Sequence, residues 1–291
     1  MLHTAFDKNK AQKVRRAVGL TLMYLFMTVL AVVLLFPYMF MLLRSLMLDT
    51  QVMLYPVELW PEPFSLKAYV DLFTANNYFK YFFQTAKVVV FNLIAIPLSA
   101  SFVAYGFSKY WFRGKRFFFS LMMATMMLPG VVVQIPLYVL FNDFGWLDSL
   151  LPLTIPNLFG GGAIYVFLIR QYMIGIPKEL EEAAKIDGAN PLVRYFSITL
   201  PLCMPVLTFI MVTVFNANWS DFYTPLLYLS KEGTETLAYA IFKDSLYTFV
   251  TPDKANLKMA AGVFMSIFPA ILFLVFQKQL IEGISTSALK G

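Results

Sequence analysis

IPKELEEAAKIDGANPLVRYFSITLPLCMP, residues Ile176–Pro205, begins as a polar insert between two long apolar runs. Its helix signals come in order. Pro177 suits a first helical turn, where its missing N–H goes unmissed. Glu179, Glu181 and Glu182 follow where the positive end of a helix dipole favours acids. Glu181 and Lys185 are spaced i,i+4 in the better orientation for an ion pair. Gly188 stands where a left-handed stop is wanted, and Asn190 and Pro191 suit an N-cap and a first helical position. The stretch predicts two short helices meeting at a Gly-Ala-Asn corner. Ala183 and Ala184 are small enough to let another surface approach closely. Glu182 and Asp187 offer charge-assisted bonds to Lys or Arg of a partner. The competing reading is a plain interfacial loop, which accounts poorly for paired alanines bordered by carboxylates.

Outward from this insert the chain is apolar. Of its 291 residues, 59% are hydrophobic and 14% charged, where soluble domains carry about a quarter charged. Crossing a bilayer takes about 20 mostly apolar residues in a helix. Six segments qualify, at 17–43, 81–107, 117–141, 151–172, 198–229 and 259–276. The fourth is the weakest, interrupted by Pro152, Pro156 and Gly160–Gly162. The expected fold is all-α and polytopic, with six transmembrane helices. The basic run Lys8–Arg16 ahead of residues 17–43 mimics a signal peptide, but the apolar run is too long for one and no small-residue cleavage site follows. It is read as a retained first span. Residues 44–80, with Trp60-Pro-Glu-Pro63, suggest a small extracytoplasmic cap. Residues 230–258 form a second outer stretch, in which Thr236–Tyr247 suits an amphipathic surface helix.

Orientation follows the Lys/Arg bias of the loops. A cytoplasmic N-terminus places four basic segments inside. These are the arm at 1–16 (Lys8, Lys10, Lys13, Arg15, Arg16) and the second loop (Lys109, Arg113, Lys115, Arg116). The loop at 176–197 and its approach add Arg170, Lys178, Lys185 and Arg194, and the tail at 277–291 adds Lys278 and Lys290. Together they hold 15 of the 23 basic residues. Basic residues confined between apolar runs point to a membrane surface and away from nucleic acid, despite a net charge of +6.

The sequence offers little catalytic chemistry. One Cys (Cys203) and one His (His3) allow neither an intrachain disulfide nor a His/Cys metal cluster nor a Ser/His/Asp set. No G-x-x-x-x-G-K-[ST] run is present, so no cofactor and no ATP hydrolysis by that route are expected in this chain. Polar residues at membrane depth are costly and tend to face the bundle interior. Asn92, Asn157, Asn216, Asn218, Trp219, Asp221 and Tyr223 fit either interhelical hydrogen bonds or a solute pathway. Trp219 and Tyr223 equally fit an interfacial belt, and Lys87 suits a side chain snorkelling outward. Pro129-Gly130 and Gly160–Gly162 are either tolerated kinks or hinges.

The run Glu182-Ala-Ala-Lys-Ile-Asp-Gly188-Ala, followed by Phe196, Ile198, Pro201 and Pro205, resembles the Glu-Ala-Ala motif of permeases of binding-protein-dependent ABC importers. Asn218-Trp-Ser-Asp-Phe222 with Thr224-Pro-Leu-Leu227 resembles the Trp-Asn-Asp-Phe…Pro-Leu signature of the sugar-permease branch, departing from it at Ser220. The ending Ala288-Leu-Lys-Gly291 resembles the tail of the smaller maltose-type permease. The resemblance implies the type I importer permease fold in a bacterial inner membrane, with both termini cytoplasmic. It implies that Glu182, Ala183, Ala184, Asp187 and Gly188 seat in a dimeric ATPase that binds ATP and Mg. It further implies a homologous second permease and an extracytoplasmic sugar-binding protein contacting the 230–258 loop. An ion-coupled secondary transporter of a small polar solute, or a polytopic membrane enzyme, would need buried ionisable or paired catalytic residues that are not evident here.

Overall fold

The computed structural model of the chain describes residues 2–74, 78–248 and 254–288, with side chains described at 15–74, 78–246 and 254–279. The C-terminal Lys-Gly ending and part of the second outer stretch lie outside the described residues. Regular structure among the described residues is helical. Helices of eight or more residues are α1 Leu2–Ser45, α2 Lys67–Thr74, α3 Tyr78–Lys109, α4 Lys115–Thr125 and α5 Gly130–Asp143. They continue as α6 Ala163–Ile174, α7 Lys178–Ile186, α8 Met204–Trp219, α9 Leu237–Thr248 and α10 Ala255–Ala288.

Four stretches are long and apolar enough to cross a membrane: Arg15–Ser45, Tyr78–Lys109, Leu151–Ile174 and Ala255–Gln279, the third of them interrupted at Gly160–Gly162. Two further apolar stretches are bent helix pairs, each a broken span or a re-entrant loop. The segment expected as one span at 117–141 is two helices, α4 and α5, turned by 97°. Pro129 causes the break, since it lacks an N–H and disfavours helical geometry at Leu128. The segment entering α8 turns by 74° between Pro191–Leu202 and Met204–Trp219, where Pro201 and Pro205 flank Cys203 and each deletes a helical donor. The expected 198–229 span therefore starts with a bend and ends early, at Trp219, before a short helix Tyr223–Tyr228. Lipid is the natural cover for α1, whose Leu22, Phe26, Val33 and Leu34 are all exposed.

The chain divides into two compact units. The first joins residues 1–74 and 250–264. Its loop is organised by Gln51, a buried side chain that donates to Glu58 Oε2 (2.7 Å) and Trp60 O (2.9 Å) and accepts from the Glu62 N–H (3.0 Å). Asn256 Nδ2 donates to Met47 O at 3.0 Å within the same unit.

The second unit, residues 75–249 with 265–291, is built on α3. Ala100 and Ala104 on α3 are fully buried in a core with Val166, Ile169 and Met173 of α6 and Ile210 and Val214 of α8. Small side chains let helix backbones approach closely where lipid supplies no hydrophobic drive. Gly161 belongs to the same packing. Its φ is +60°, and a Cβ there would lie 2.5 Å from Ile96 Cγ2. Lys87 stays exposed and donates to Gln84 Oε1 at 3.3 Å. Helix α9 buries Leu237, Ala238, Tyr239 and Ala240, so its first turns belong to the body of the unit.

Candidate functional site

Helix α7 ends on Gly188 at φ +81°. The Gly188 N–H donates to Lys185 O (3.2 Å) and the Ala189 N–H to Ala184 O (2.9 Å), the paired bonds that close a helix through a left-handed residue. Two residues on, Asn190 Oδ1 accepts from the Val193 N–H at 2.9 Å and Pro191 opens the next helix. The corner is thus made by local caps on both sides of one glycine.

What it presents is apolar and acidic together. Ile186 is 86% exposed. Leu180, Leu192 and Val193 are exposed around it, as are Glu182, Ala183, Asp187 and Gly188. Such a patch rimmed by charge marks a contact surface. Of the two alanines only Ala183 is outward; Ala184 is buried against its own chain.

Four contacts strap the corner to α3 and the residue just past it, and a fifth, between Thr199 and Glu181, braces it from within. Glu181 Oε2 lies 3.9 Å from Lys109 Nζ, and Thr199 Oγ1 donates to Glu181 Oε1 at 3.2 Å. Glu181 therefore turns to Lys109 and not to Lys185, the partner its spacing suggests. Arg194 Nη2 donates to Tyr110 Oη at 3.2 Å. Tyr105 Oη donates to Pro191 O at 3.4 Å, and Tyr195 Oη shares a 2.7 Å hydrogen bond with Ser101 Oγ. A force on the corner passes into α3 and Tyr110 through the four that reach them. Lys109, Tyr105, Tyr110 and Ser101 carry no sequence signal for this work, because each partner comes from a distant segment.

The polar residues at membrane depth fall into two groups. Asn92, Asn157 and Asn218 form a chain between three spans. Asn157 Nδ2 donates to Asn92 Oδ1 (3.0 Å) and to Leu153 O (3.2 Å). Asn92 Nδ2 donates to Asn218 Oδ1 (2.6 Å) and to Leu153 O (3.0 Å). Asn92, fully buried, is the centre of this network.

The remaining predicted residues lie elsewhere. Trp219 is buried, its Nε1–H donating to Met265 O at 2.8 Å and its ring against Phe215 and Phe268. Asp221 Oδ1 accepts from the backbone N–H groups of Tyr223 and Thr224, both at 3.0 Å. Asn216 and Tyr223 are exposed. None of the seven lines a cavity of about 730 Å³ in the same unit. That cavity is walled by Ile94, Leu98, Phe102 and Phe159, with Ser99 and Tyr195 as its polar side chains, a lining poor in partners for hydroxyls.

Residues 96–286 match the family described as the binding-protein-dependent transport system inner membrane component. The arabinooligosaccharides transport system permease protein of Halalkalibacterium halodurans is 31% identical, over 94% of this chain and 96% of its own. The galactooligosaccharides transport system permease protein of Bacillus subtilis is 28% identical, over 96% of this chain and 98% of its own. A chain in the crystal structure of a bacterial ABC transporter involved in import of the acidic polysaccharide alginate shares the fold. Its TM-score is 0.76 at 23% identity, covering 90% of this chain and 96% of that one. With a family match spanning the corner and relatives collinear from end to end, the protein belongs to the inner membrane components of binding-protein-dependent transport systems.

Proposed function

We propose that this chain forms half of the translocation pathway for a di- or oligosaccharide delivered by an extracytoplasmic binding protein, and that a separate ATPase drives it. The observation that carries the reading is the corner at Gly188, which exposes an apolar, acid-rimmed knob while being strapped from behind to α3. A loop serving only as a connection would need neither the exposed Ile186 nor the half-buried Glu181 tied to Lys109. Relatives named for arabino- and galactooligosaccharide transport support the substrate class.

In this reading the corner and both termini face the cytoplasm of a bacterial inner-membrane complex. Glu182, Ala183, Asp187 and Gly188, with Ile186, seat in a cleft of one subunit of an ATPase dimer, where ATP and Mg are bound. Ala184 supports the corner from inside. Closure of the ATPases pulls the corner and α3 together, and the proline breaks at Pro129 and around Cys203 accommodate the movement. A homologous second permease supplies the other half of the pathway. Asn216 and Tyr223 have side chains free to meet a sugar, while Asn157, Asn218, Trp219 and Asp221 hold the wall behind them.

The test is co-expression of the tagged chain with its partner permease, ATPase and binding protein, followed by reconstitution. ATP hydrolysis stimulated by oligosaccharide-loaded binding protein, and lost with Glu182→Lys, is the expected result. Uptake by the chain alone in liposomes under an ion gradient would overturn the proposal.

A further inference from the structure

The second cavity, about 320 Å³, is lined by Trp111, Lys115, Arg116, Phe119 and Arg170. Three cations converge there, from the first turn of α4 and from the middle of α6. Among the described residues, no ion pair is formed by any of the three. Two are held in place and do not swing freely. Lys115 Nζ donates to Tyr110 O at 2.7 Å. Arg170 Nε donates to Phe107 O at 3.2 Å, and its guanidinium lies 4.2 Å from the centre of the Phe119 ring. Each of these contacts uses part of a donor set and leaves the charge without an acid. The positive end of the α4 dipole adds to the same field.

The surroundings say what kind of anion is available. Trp111 is 84% exposed, and Phe117, Phe118 and Leu121 on the adjoining turns of α4 are exposed as well. An exposed Trp beside cations and bare apolar residues is the composition of a bilayer interface. A carboxylate on a soluble partner would leave those apolar rings uncovered, whereas a phospholipid covers them with its chains and brings a phosphate to the cations. Fixed guanidinium and ammonium donors suit phosphate oxygens.

We propose that Lys115, Arg116 and Arg170, beside Trp111, form a binding site for the phosphate-bearing headgroup of an anionic phospholipid. The site goes beyond the transport reading and requires only that this end of α3 meets a membrane surface. The leaflet it faces rests on the orientation proposed above.

The experiment places the full chain in nanodiscs of phosphatidylcholine with increasing phosphatidylglycerol. One of the two lipids is brominated near its headgroup in each series. Comparison with Trp111→Phe isolates quenching of Trp111. Each basic group at the surface is worth about five-fold in attraction to anionic lipid, so wild type should prefer phosphatidylglycerol by about ten-fold or more. Combined Lys115→Gln, Arg116→Gln and Arg170→Gln should bring this below about two-fold. Arg116→Gln alone, at an exposed side chain that does not challenge the fold, should lose about five-fold, and Arg113→Gln, exposed but outside the cavity, should lose clearly less than Arg116→Gln. Soluble glycerophosphate in excess separates the sources. Restored Trp111 emission means the phosphate group alone suffices; unchanged quenching means it must be lipid-borne. Equal quenching by both lipids in wild type, or equal losses with Arg113→Gln and Arg116→Gln, would overturn the site.

Discussion

Glu181 Oε2 lies 3.9 Å from Lys109 Nζ, and the two side chains are 14% and 8% exposed. Its neighbour Glu182 is exposed. Two adjacent carboxylates thus divide the work: one ties the corner to α3 and the other faces outward. Glu181→Gln retains a hydrogen-bonding amide for Thr199 but strands the ammonium of Lys109. We expect a loss of about 1–2 kcal/mol in detergent unfolding, with docking to the ATPase retained by the folded protein. Glu182→Lys should leave unfolding within about 0.5 kcal/mol and abolish co-purification of the ATPase. If both variants lower stability equally, the division of labour is wrong.

Gly188 turns the corner at φ +81°, and a Cβ there would meet nothing within 4 Å. Space is therefore irrelevant and only backbone strain counts. Gly188→Ala should cost about 1–2 kcal/mol, the penalty of a left-handed L-residue. Gly188→Asn should cost less, because its short side chain tolerates that region. Thermal unfolding of the three proteins in one detergent would rank them Gly, Asn, Ala. An alanine variant as stable as the parent would mean that the corner has another way to turn.

What could be read from the residues was the chemistry that acts over a few positions. Asn190, Pro191 and Gly188 cap helices with groups from the same stretch, so their roles followed from spacing. The same logic pairs Glu181 with Lys185, whereas its partner, Lys109, comes from another helix. Pro129 marks a kink or a hinge from the residues alone and Pro201 only a motif position, and bends of 97° and 74° depend on which neighbours take up the freed carbonyls. Trp219 fits an interhelical hydrogen bond, a solute pathway or a membrane belt, and only the approach of α10, offering Met265 O, places it in the packed interior. The asparagines stood out as costly in lipid; that Asn92 joins Asn157 to Asn218 is tertiary information.

Asn92 donates to two partners and accepts from a third. Asn92→Ala should lower stability by about 1–3 kcal/mol, since it takes the donor from Asn218 Oδ1 and an acceptor from Asn157 Nδ2 inside the bundle. Asn216→Ala should change stability by less than about 0.5 kcal/mol, because that side chain is exposed and bonds only within its own helix. The comparison that matters is uptake by the reconstituted transporter. A drop with Asn216→Ala at unchanged stability is expected of a residue that meets the solute, and full uptake would remove it from the pathway.

Glu235 is 3% exposed on the stretch that follows the last turn before α9. Burial raises its pKa, but hydrogen bonds from Lys243 Nζ (2.9 Å), from its own backbone and from the Gly233 N–H (2.5 Å) outweigh burial and hold it below the ordinary carboxylate value. A depressed folded-state pKa contributes stability that is complete above the unfolded value, about 4.3 for Glu, and is lost as pH falls through the folded value. Wild type should therefore melt at a constant temperature near neutrality and lose stability only in acid. Glu235→Gln should melt lower at pH 7, because the Glu235 carboxylate no longer meets the Lys243 ammonium, and the gap to wild type should narrow as pH drops below about 4.3. The narrowing is specific to the ion pair: a side chain that merely filled space would give the same difference at every pH. Unfolding curves across an acid series, recorded for both proteins in the same detergent, distinguish the two. A gap that stays constant would show that the charge of Glu235 does not hold this segment.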